Sequence, residues 1–214
     1  MKHPPRYTRG EEIANTAIHG VGVLLAIAAP VILTGFAAQQ GDAWRIVSCC
    51  IYGLTLIMMY SASTLYHGVR PGRAKSILRT IDHAAIFLLI AGTYTPFTLV
   101  NLRGPWGWSL FGAVWTLALL GIIFEASVLR RFSRVLVGLY VLMGWAVIVA
   151  IKPMLRSVEP GGLVLLLGGG LAYTVGVVFY RWRTLPYHHA IWHVFVLAGS
   201  VLHFFAVLFY VVQS

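Results

Sequence analysis

Residues 187–212 read YHHAIWHVFVLAGSVLHFFAVLFYVV, a long run that contains no Asp, Glu, Lys or Arg. A transmembrane helix needs about 20 consecutive, mostly apolar residues, so this stretch predicts a membrane-spanning helix. Six segments of similar character precede it. The seven predicted spans are 16–38, 43–67, 78–100, 106–129, 135–151, 162–180 and 187–212. The sequence therefore predicts an all-α membrane protein, a seven-transmembrane-helix bundle that forms a single membrane domain over residues 1–214.

The composition agrees with this fold class. Hydrophobic residues make up 59% of the chain and charged residues only 10%, whereas soluble domains carry about 25% charged residues. The net charge of +10 does not indicate a nucleic-acid partner. A nucleic-acid-binding surface needs basic residues clustered on one face, and here they lie in short groups between apolar spans. We therefore expect an integral membrane protein with no nucleic-acid partner.

The placement of the basic residues predicts the orientation. Twelve of the sixteen Lys and Arg residues lie in the amino-terminal segment or in the second, fourth and sixth connections. Membrane proteins concentrate Lys and Arg in their cytoplasmic loops. The amino terminus is therefore predicted to be cytoplasmic. With an odd number of spans, the carboxyl terminus is predicted to lie outside.

Ionisable residues inside membrane spans are costly, and they are candidates for function. His189 and His193 are four residues apart, so they share a helix face, and two imidazoles at this spacing can bind one metal ion. Ser63 and His67 have the same spacing at the end of the second span. Asp82 lies near the start of the third span.

Helix direction predicts that these groups lie at one depth in the membrane. The second span ends on the cytoplasmic side, and the third and seventh spans begin there. The first span also begins there, with a further polar cluster of three residues: Glu12, Asn15 and His19. His203 lies about 15 Å deeper than His193 at about 1.5 Å per residue, so it is not expected to share a metal with His193.

Three imidazoles with an open fourth position are typical of a catalytic zinc site. Histidine ligands also suit copper, nickel or iron. Asp82 is expected to orient a water molecule or to serve as a base. The isolated histidines His83 and His188 are expected to form ordinary hydrogen bonds near the membrane interface. Glu125 is expected to pair with Arg130 or Arg131.

Three blocks of residues resemble the haemolysin III family of bacteria, the prokaryotic branch of the progestin and adiponectin receptor superfamily. The blocks are Glu12-x-x-Asn15-x-x-x-His19, Ser63-x-x-x-His67 followed by Asp82, and His189-x-x-x-His193 with His203 ten residues on. The resemblance covers the chain from Glu12 to about Tyr210.

This resemblance implies a seven-span bundle in the bacterial inner (cell) membrane, with zinc held near the cytoplasmic face. The implied zinc ligands are His67, His189 and His193. The family aspartate that contacts the water on the zinc matches Asp82, and the serine near the zinc matches Ser63. Eukaryotic relatives are receptors, some linked to ceramide hydrolysis, and the name of the bacterial family records a haemolytic activity.

Three functions stay open on the sequence. The first is a zinc-dependent hydrolase acting on a membrane lipid, a ceramide-like amide, with Asp82 as general base and Ser63 donating to the developing oxyanion. The second is a receptor or sensor with structural zinc, although the predicted outer loops are short. The third is a cytolysin. The sequence supports this function least, because it contains no amphipathic segment that could insert into a membrane after a soluble stage.

Overall fold

The computed structural model describes residues 7–213, apart from the side chains of Arg130 and Ser133. This part of the chain is helical and contains no strand. Seven helices are long and apolar enough to cross a membrane, and they are Arg9–Gln40, Ala43–Gly68, Arg73–Asn101, Pro105–Ala126, Arg134–Ser157, Pro160–Arg181 and His188–Val212. The predicted all-α fold with seven spanning helices is confirmed.

Regular α-helices make up most of each span, and short irregular turns complete three of them. The α-helices are α1 (Arg9–Gln40), α2 (Ala43–Gly68), α3 (Arg73–Pro96), α4 (Pro105–Ala126), α5 (Ser133–Gly144), α6 (Ile151–Ser157), α7 (Pro160–Arg181) and α8 (His188–Val207). One π-helical turn extends α3 over Phe97–Asn101, and another extends α8 over Leu208–Val212.

Local sequence signals account for the first helix boundaries. Thr8 caps α1 in a reciprocal capping box with Glu11, which satisfies backbone N–H groups that the first turn leaves unpaired. Gly41 ends the helix with φ of 70°, a left-handed conformation that favours glycine. Asp42 then caps α2 by accepting a hydrogen bond from the Trp44 backbone N–H at 3.0 Å.

The fifth span differs most from its predicted bounds. The sequence suggests residues 135–151, because Lys152 and Pro153 interrupt the apolar run, but the helical segment continues to Ser157. It is not one helix: a 3₁₀ turn over Ala146–Ala150 separates α5 from α6. Pro153 has no backbone N–H and its ring clashes with the carbonyl four residues earlier, which disfavours a continuous α-helix through this segment.

Small residues allow α1, α2 and α3 to approach closely. A Cβ atom at Gly22 of α1 would overlap the Tyr60 ring of α2, and one at Gly92 of α3 would overlap the Thr55 side chain of α2. Such small-residue contacts are a general feature of helix packing in membranes. They allow α1 and α3 to pack closely against α2, which carries one of the candidate metal ligands at its end.

Replacing Gly22 by alanine is expected to destabilise the bundle by about 1–3 kcal/mol, because the added methyl group overpacks a buried contact. Gly20 is a matched control, since a Cβ there meets nothing within 4 Å. Gly20→Ala should be neutral or stabilising by up to about 1 kcal/mol. Thermal unfolding of both variants in the same detergent measures the difference, and equal melting temperatures would contradict this packing argument.

Contacts between distant residues define the two ends of the bundle. At the end that holds the start of α1, the Glu12 carboxylate meets His67 at the end of α2. The Tyr187 N–H donates to Glu11 at 3.1 Å in the same region. At the opposite end, Arg45 Nη1 donates to the Val212 carbonyl at 3.4 Å. The candidate site lies at the end of the bundle that holds the start of α1, which is called here the amino-terminal end.

Candidate metal centre

Three histidine side chains converge at the amino-terminal end. His67 occupies the last turn of α2, and His189 and His193 occupy the first two turns of α8. All three are at most 6% exposed. One ring nitrogen from each lies within 4.8 Å of the others, and the Nε2 atoms of His67 and His193 are 3.3 Å apart. These three residues could hold a metal ion.

The hydrogen bonding of the three rings fits a metal. Neither ring nitrogen of His189 has a hydrogen-bond partner among the described residues, and neither does Nδ1 of His193. Buried polar atoms without partners are uncommon and costly in folded proteins. A cation between the rings would satisfy the nitrogens that face it. The donor set, three imidazoles and no thiolate, suits several divalent transition metals.

His67 is oriented by a carboxylate. Its Nδ1 lies 2.7 Å from Glu12 Oε2, and the Asn15 amide nitrogen lies 3.3 Å from the same ring atom. The other Glu12 oxygen pairs with Lys75 Nζ at 2.9 Å. With Nδ1 donating to Glu12, Nε2 is left as the lone-pair donor that faces His193. Metal-binding histidines are commonly held in this way by a carboxylate.

Replacing Glu12 by glutamine is expected to weaken metal binding by about 10- to 100-fold, the usual effect of removing such a supporting contact. The amide is a poorer acceptor for the His67 N–H and no longer pairs with Lys75 as a charge. Competition with a chromophoric chelator measures the dissociation constant for added Zn²⁺. Glu11→Gln is the matched control, because Glu11 contacts Thr8 and Tyr187. Unchanged affinity in Glu12→Gln would contradict the supporting role.

The remaining predicted residues lie around the three histidines. The His19 ring contacts the His193 ring in a tilted arrangement, with centroids 3.6 Å apart and the planes at 58°. Asp82 is 6% exposed, and the Ser63 hydroxyl is a close neighbour of its carboxyl group. The fold thus brings together the full predicted set: His67, His189, His193, Asp82, Ser63, Glu12, Asn15 and His19.

Two histidines beside the cluster have other partners. His188 Nδ1 faces the Phe179 carbonyl at 3.2 Å, as expected for an ordinary interfacial histidine. His83 Nδ1 lies 3.3 Å from Glu125 Oε1. Among the described side chains Glu125 therefore pairs with His83 and not with Arg131. The expected pairing with Arg130 falls on a side chain outside the described part of the chain. Glu125 lies in the last turn of α4, on the side that faces α3.

An apolar cavity of about 140 Å³ begins at His189 and His193 and runs into the bundle. Asp82, His189 and His193 line its polar end, and His203 lines it further along. Its other walls are mostly aliphatic and aromatic side chains of α3, α5, α7 and α8, and it is partly open. The sequence does not single out these wall residues, because they resemble every other apolar residue of a span. The cavity can accept a hydrocarbon chain whose polar end meets the histidines.

A family profile described as haemolysin-III related matches residues 7–204. The chain belongs to the haemolysin III family. It is 48% identical over 204 residues to Hemolysin-3 of Bacillus cereus, covering 95% of this chain and 93% of that protein. It is 50% identical over 207 residues to a Hemolysin-3 homolog of Bacillus subtilis, covering 97% of each chain.

A distant human relative extends the family outside bacteria. The chain is 29% identical over 212 residues to the human monocyte to macrophage differentiation factor, covering 95% of this chain and 86% of the human protein. This match supports the wider relationship of the haemolysin III family to the progestin and adiponectin receptor superfamily. With seven apolar spanning helices, the chain is a multi-pass membrane protein of this family.

Proposed function

We propose that this protein is a zinc-dependent hydrolase that cleaves an amide bond in a membrane lipid of the ceramide type. The observation that carries the proposal is a juxtaposition: of three converging buried histidines, His189 and His193 line the polar end of an apolar cavity together with the buried Asp82 carboxylate. A structural metal site would normally be closed by four protein ligands. Three histidines leave a position for water or substrate.

His67, His189 and His193 would hold the zinc. Zinc, when bound, supplies Lewis-acid polarisation of a carbonyl group and makes water more acidic. The alternative metals that accept imidazole ligands are copper, nickel and iron, and elemental analysis of the purified protein distinguishes them. Glu12 keeps His67 in the tautomer that presents Nε2 to the metal.

Asp82 would act as the general base and acid. Its carboxylate takes a proton from the attacking water, whose oxygen forms a bond to the amide carbon. The same proton then passes to the amide nitrogen as the carbon–nitrogen bond breaks, releasing a fatty acid and an amine. The Ser63 hydroxyl would donate a hydrogen bond to the oxygen that gains negative charge. The apolar cavity would hold the acyl chain.

The direct test uses purified protein in lipid nanodiscs containing a ceramide with a labelled acyl chain. Release of labelled fatty acid is measured by mass spectrometry. We expect release from zinc-loaded protein, its loss after chelation, and recovery when zinc is added back. Equal release by metal-free protein would overturn the metal-dependent mechanism, and absence of release from any amide lipid would overturn the hydrolase proposal.

We further propose that the metal centre faces the cytoplasm of a bacterial inner membrane. The basic residues around the amino-terminal end support this orientation, because Lys and Arg mark cytoplasmic loops. Tags at the two termini should then report opposite sides: an amino-terminal tag protected in intact cells and a carboxyl-terminal tag accessible from outside. Reporters on the same side, or the reverse arrangement, would contradict it.

Cytolysis is the second candidate, because the Bacillus cereus relative is named Hemolysin-3. The purified protein would then release dye from liposomes, and His189→Ala would do so equally well if the pore is independent of the metal centre. Against this stands the apolar character of all seven helices: a secreted pore former must first be soluble. Liposomes that retain their dye after the protein has been reconstituted into them would exclude this activity.

A further inference from the structure

A second, smaller pocket of about 40 Å³ adjoins the metal centre. Two arginines contribute to its wall, Arg79 from α3 and Arg183 from the connection between α7 and α8. His83 and His189 line both this pocket and the apolar cavity. The basic pocket and the apolar cavity therefore lie next to each other, on either side of His83 and His189.

The two guanidinium groups carry uncompensated positive charge. No carboxylate oxygen lies within ion-pair distance of either group in the part of the chain that the structure describes, which contains all six acidic residues of the sequence. Asp82 is near enough to interact electrostatically with Arg79, but it is buried and lines the apolar cavity. A pocket with two arginines and no acidic partner favours an anion.

Three tyrosines also line the pocket: Tyr7, Tyr66 and Tyr180. Tyr7 lies beside His189, with ring centroids 4.9 Å apart, and its phenol can donate a hydrogen bond. Arginine presents a planar fork of N–H donors that matches carboxylate and phosphate oxygens. Together the arginines and tyrosines offer donors suited to an oxyanion.

We propose that this pocket binds an oxyanion, a carboxylate or phosphate, on the head group of the amide lipid. The inference rests on the proposed hydrolase function and narrows its substrate class. With the amide carbonyl at the metal centre, the acyl chain extends into the apolar cavity, and the amine-side head group extends past His189 into the basic pocket. N-acyl amides with an acidic head group are then better ligands than neutral amides of the same length.

The test measures binding rather than turnover. The probe is 4-oxopentadecanoate, a ketone isostere of N-lauroylglycine that has no amide bond to break, and the neutral match is 4-oxopentadecan-1-ol. Zinc-loaded protein in nanodiscs of neutral lipid should bind the acid about tenfold or more tightly than the alcohol. The reason is that a carboxylate can accept charge-assisted bidentate hydrogen bonds from arginine, which are stronger than hydrogen bonds between neutral groups. Equal affinities for the two probes would overturn the inference.

Arg183→Gln is the decisive variant, because Arg183 is exposed and its replacement is not expected to affect folding. It should reduce the preference for the acid severalfold, and adding Arg79→Gln should abolish it. Arg181→Gln is the matched control, since Arg181 is also exposed but does not line the pocket. An unchanged preference in the double variant would contradict the assignment. Full displacement of the probe by equimolar inorganic phosphate would show a free-anion site and overturn the head-group assignment.

Failure of the inference and failure of the hydrolase proposal give different results. If no amide lipid is cleaved but the arginine-dependent preference for the acid persists, the hydrolase proposal fails and the oxyanion pocket stands. If neutral ceramide is cleaved as fast as its acidic analogues and the unmodified protein binds both probes equally, the oxyanion pocket fails and the hydrolase stands.

Discussion

Replacing His189 by alanine should remove the bound zinc and abolish hydrolysis of the amide lipid. His189 is one of the three imidazoles that could hold a metal ion among the described residues, and two imidazoles leave the ion without a stable coordination sphere. Zinc content is expected to fall from about one ion per chain to near zero. Elemental analysis of the purified variant measures the loss, and the nanodisc assay measures the turnover.

His203→Ala is the matched control for this experiment. His203 is a buried histidine of the same helix, but its Nε2 faces the Leu166 carbonyl at 3.2 Å, so zinc content should stay unchanged. Size-exclusion profiles show whether both variants fold. Retention of stoichiometric zinc in folded His189→Ala protein would refute the assignment of this residue as a ligand.

Replacing Asp82 by asparagine should leave zinc content intact and reduce the turnover number by about 10²- to 10⁴-fold, the usual contribution of a positioned acid or base. The substitution keeps the shape of the side chain but removes the group that accepts the proton. This outcome distinguishes an enzyme from a receptor with structural zinc, because a receptor has no turnover to lose. The comparison requires the kinetic parameters and the zinc content of the same preparation.

Glu125→Gln serves as the control, since Glu125 is also a buried carboxylate but contacts His83. It should retain most of the activity. Turnover in Asp82→Asn within a few-fold of the unmodified protein would exclude Asp82 as the general base. Loss of zinc from that variant would instead show that Asp82 supports the metal rather than the chemistry.

The histidine cluster could be predicted because membrane helices constrain depth. Once helix directions are assigned, residues near the ends of sequence-distant spans must lie in one layer, as His67 and His193 do. The spacing of four residues then places His189 and His193 on one face. Neither step requires knowledge of which helices are neighbours.

The features that could not be predicted from the sequence depend on which helices pack side by side. The pairing of Glu125 with His83 requires α4 to pack beside α3, and the basic pocket requires Arg79 and Arg183 to meet although they are far apart in the chain. Depth alone does not decide these contacts. The break in the fifth span is different, because Pro153 is visible in the sequence, but its effect on the preceding turn becomes apparent only in the structure.

The partly open apolar cavity has a consequence for kinetics. Its walls include α5 and α7, which touch at only a few residues, whereas α7 packs closely along α8. A ligand that enters between α5 and α7 diffuses within the bilayer and never crosses bulk water. The rate should therefore follow the mole fraction of substrate in the bilayer and show surface dilution when inert phospholipid is added at constant bulk concentration. A bilayer in the gel phase, where lateral diffusion is slow, should lower the rate of the proposed reaction without changing the zinc content of the protein.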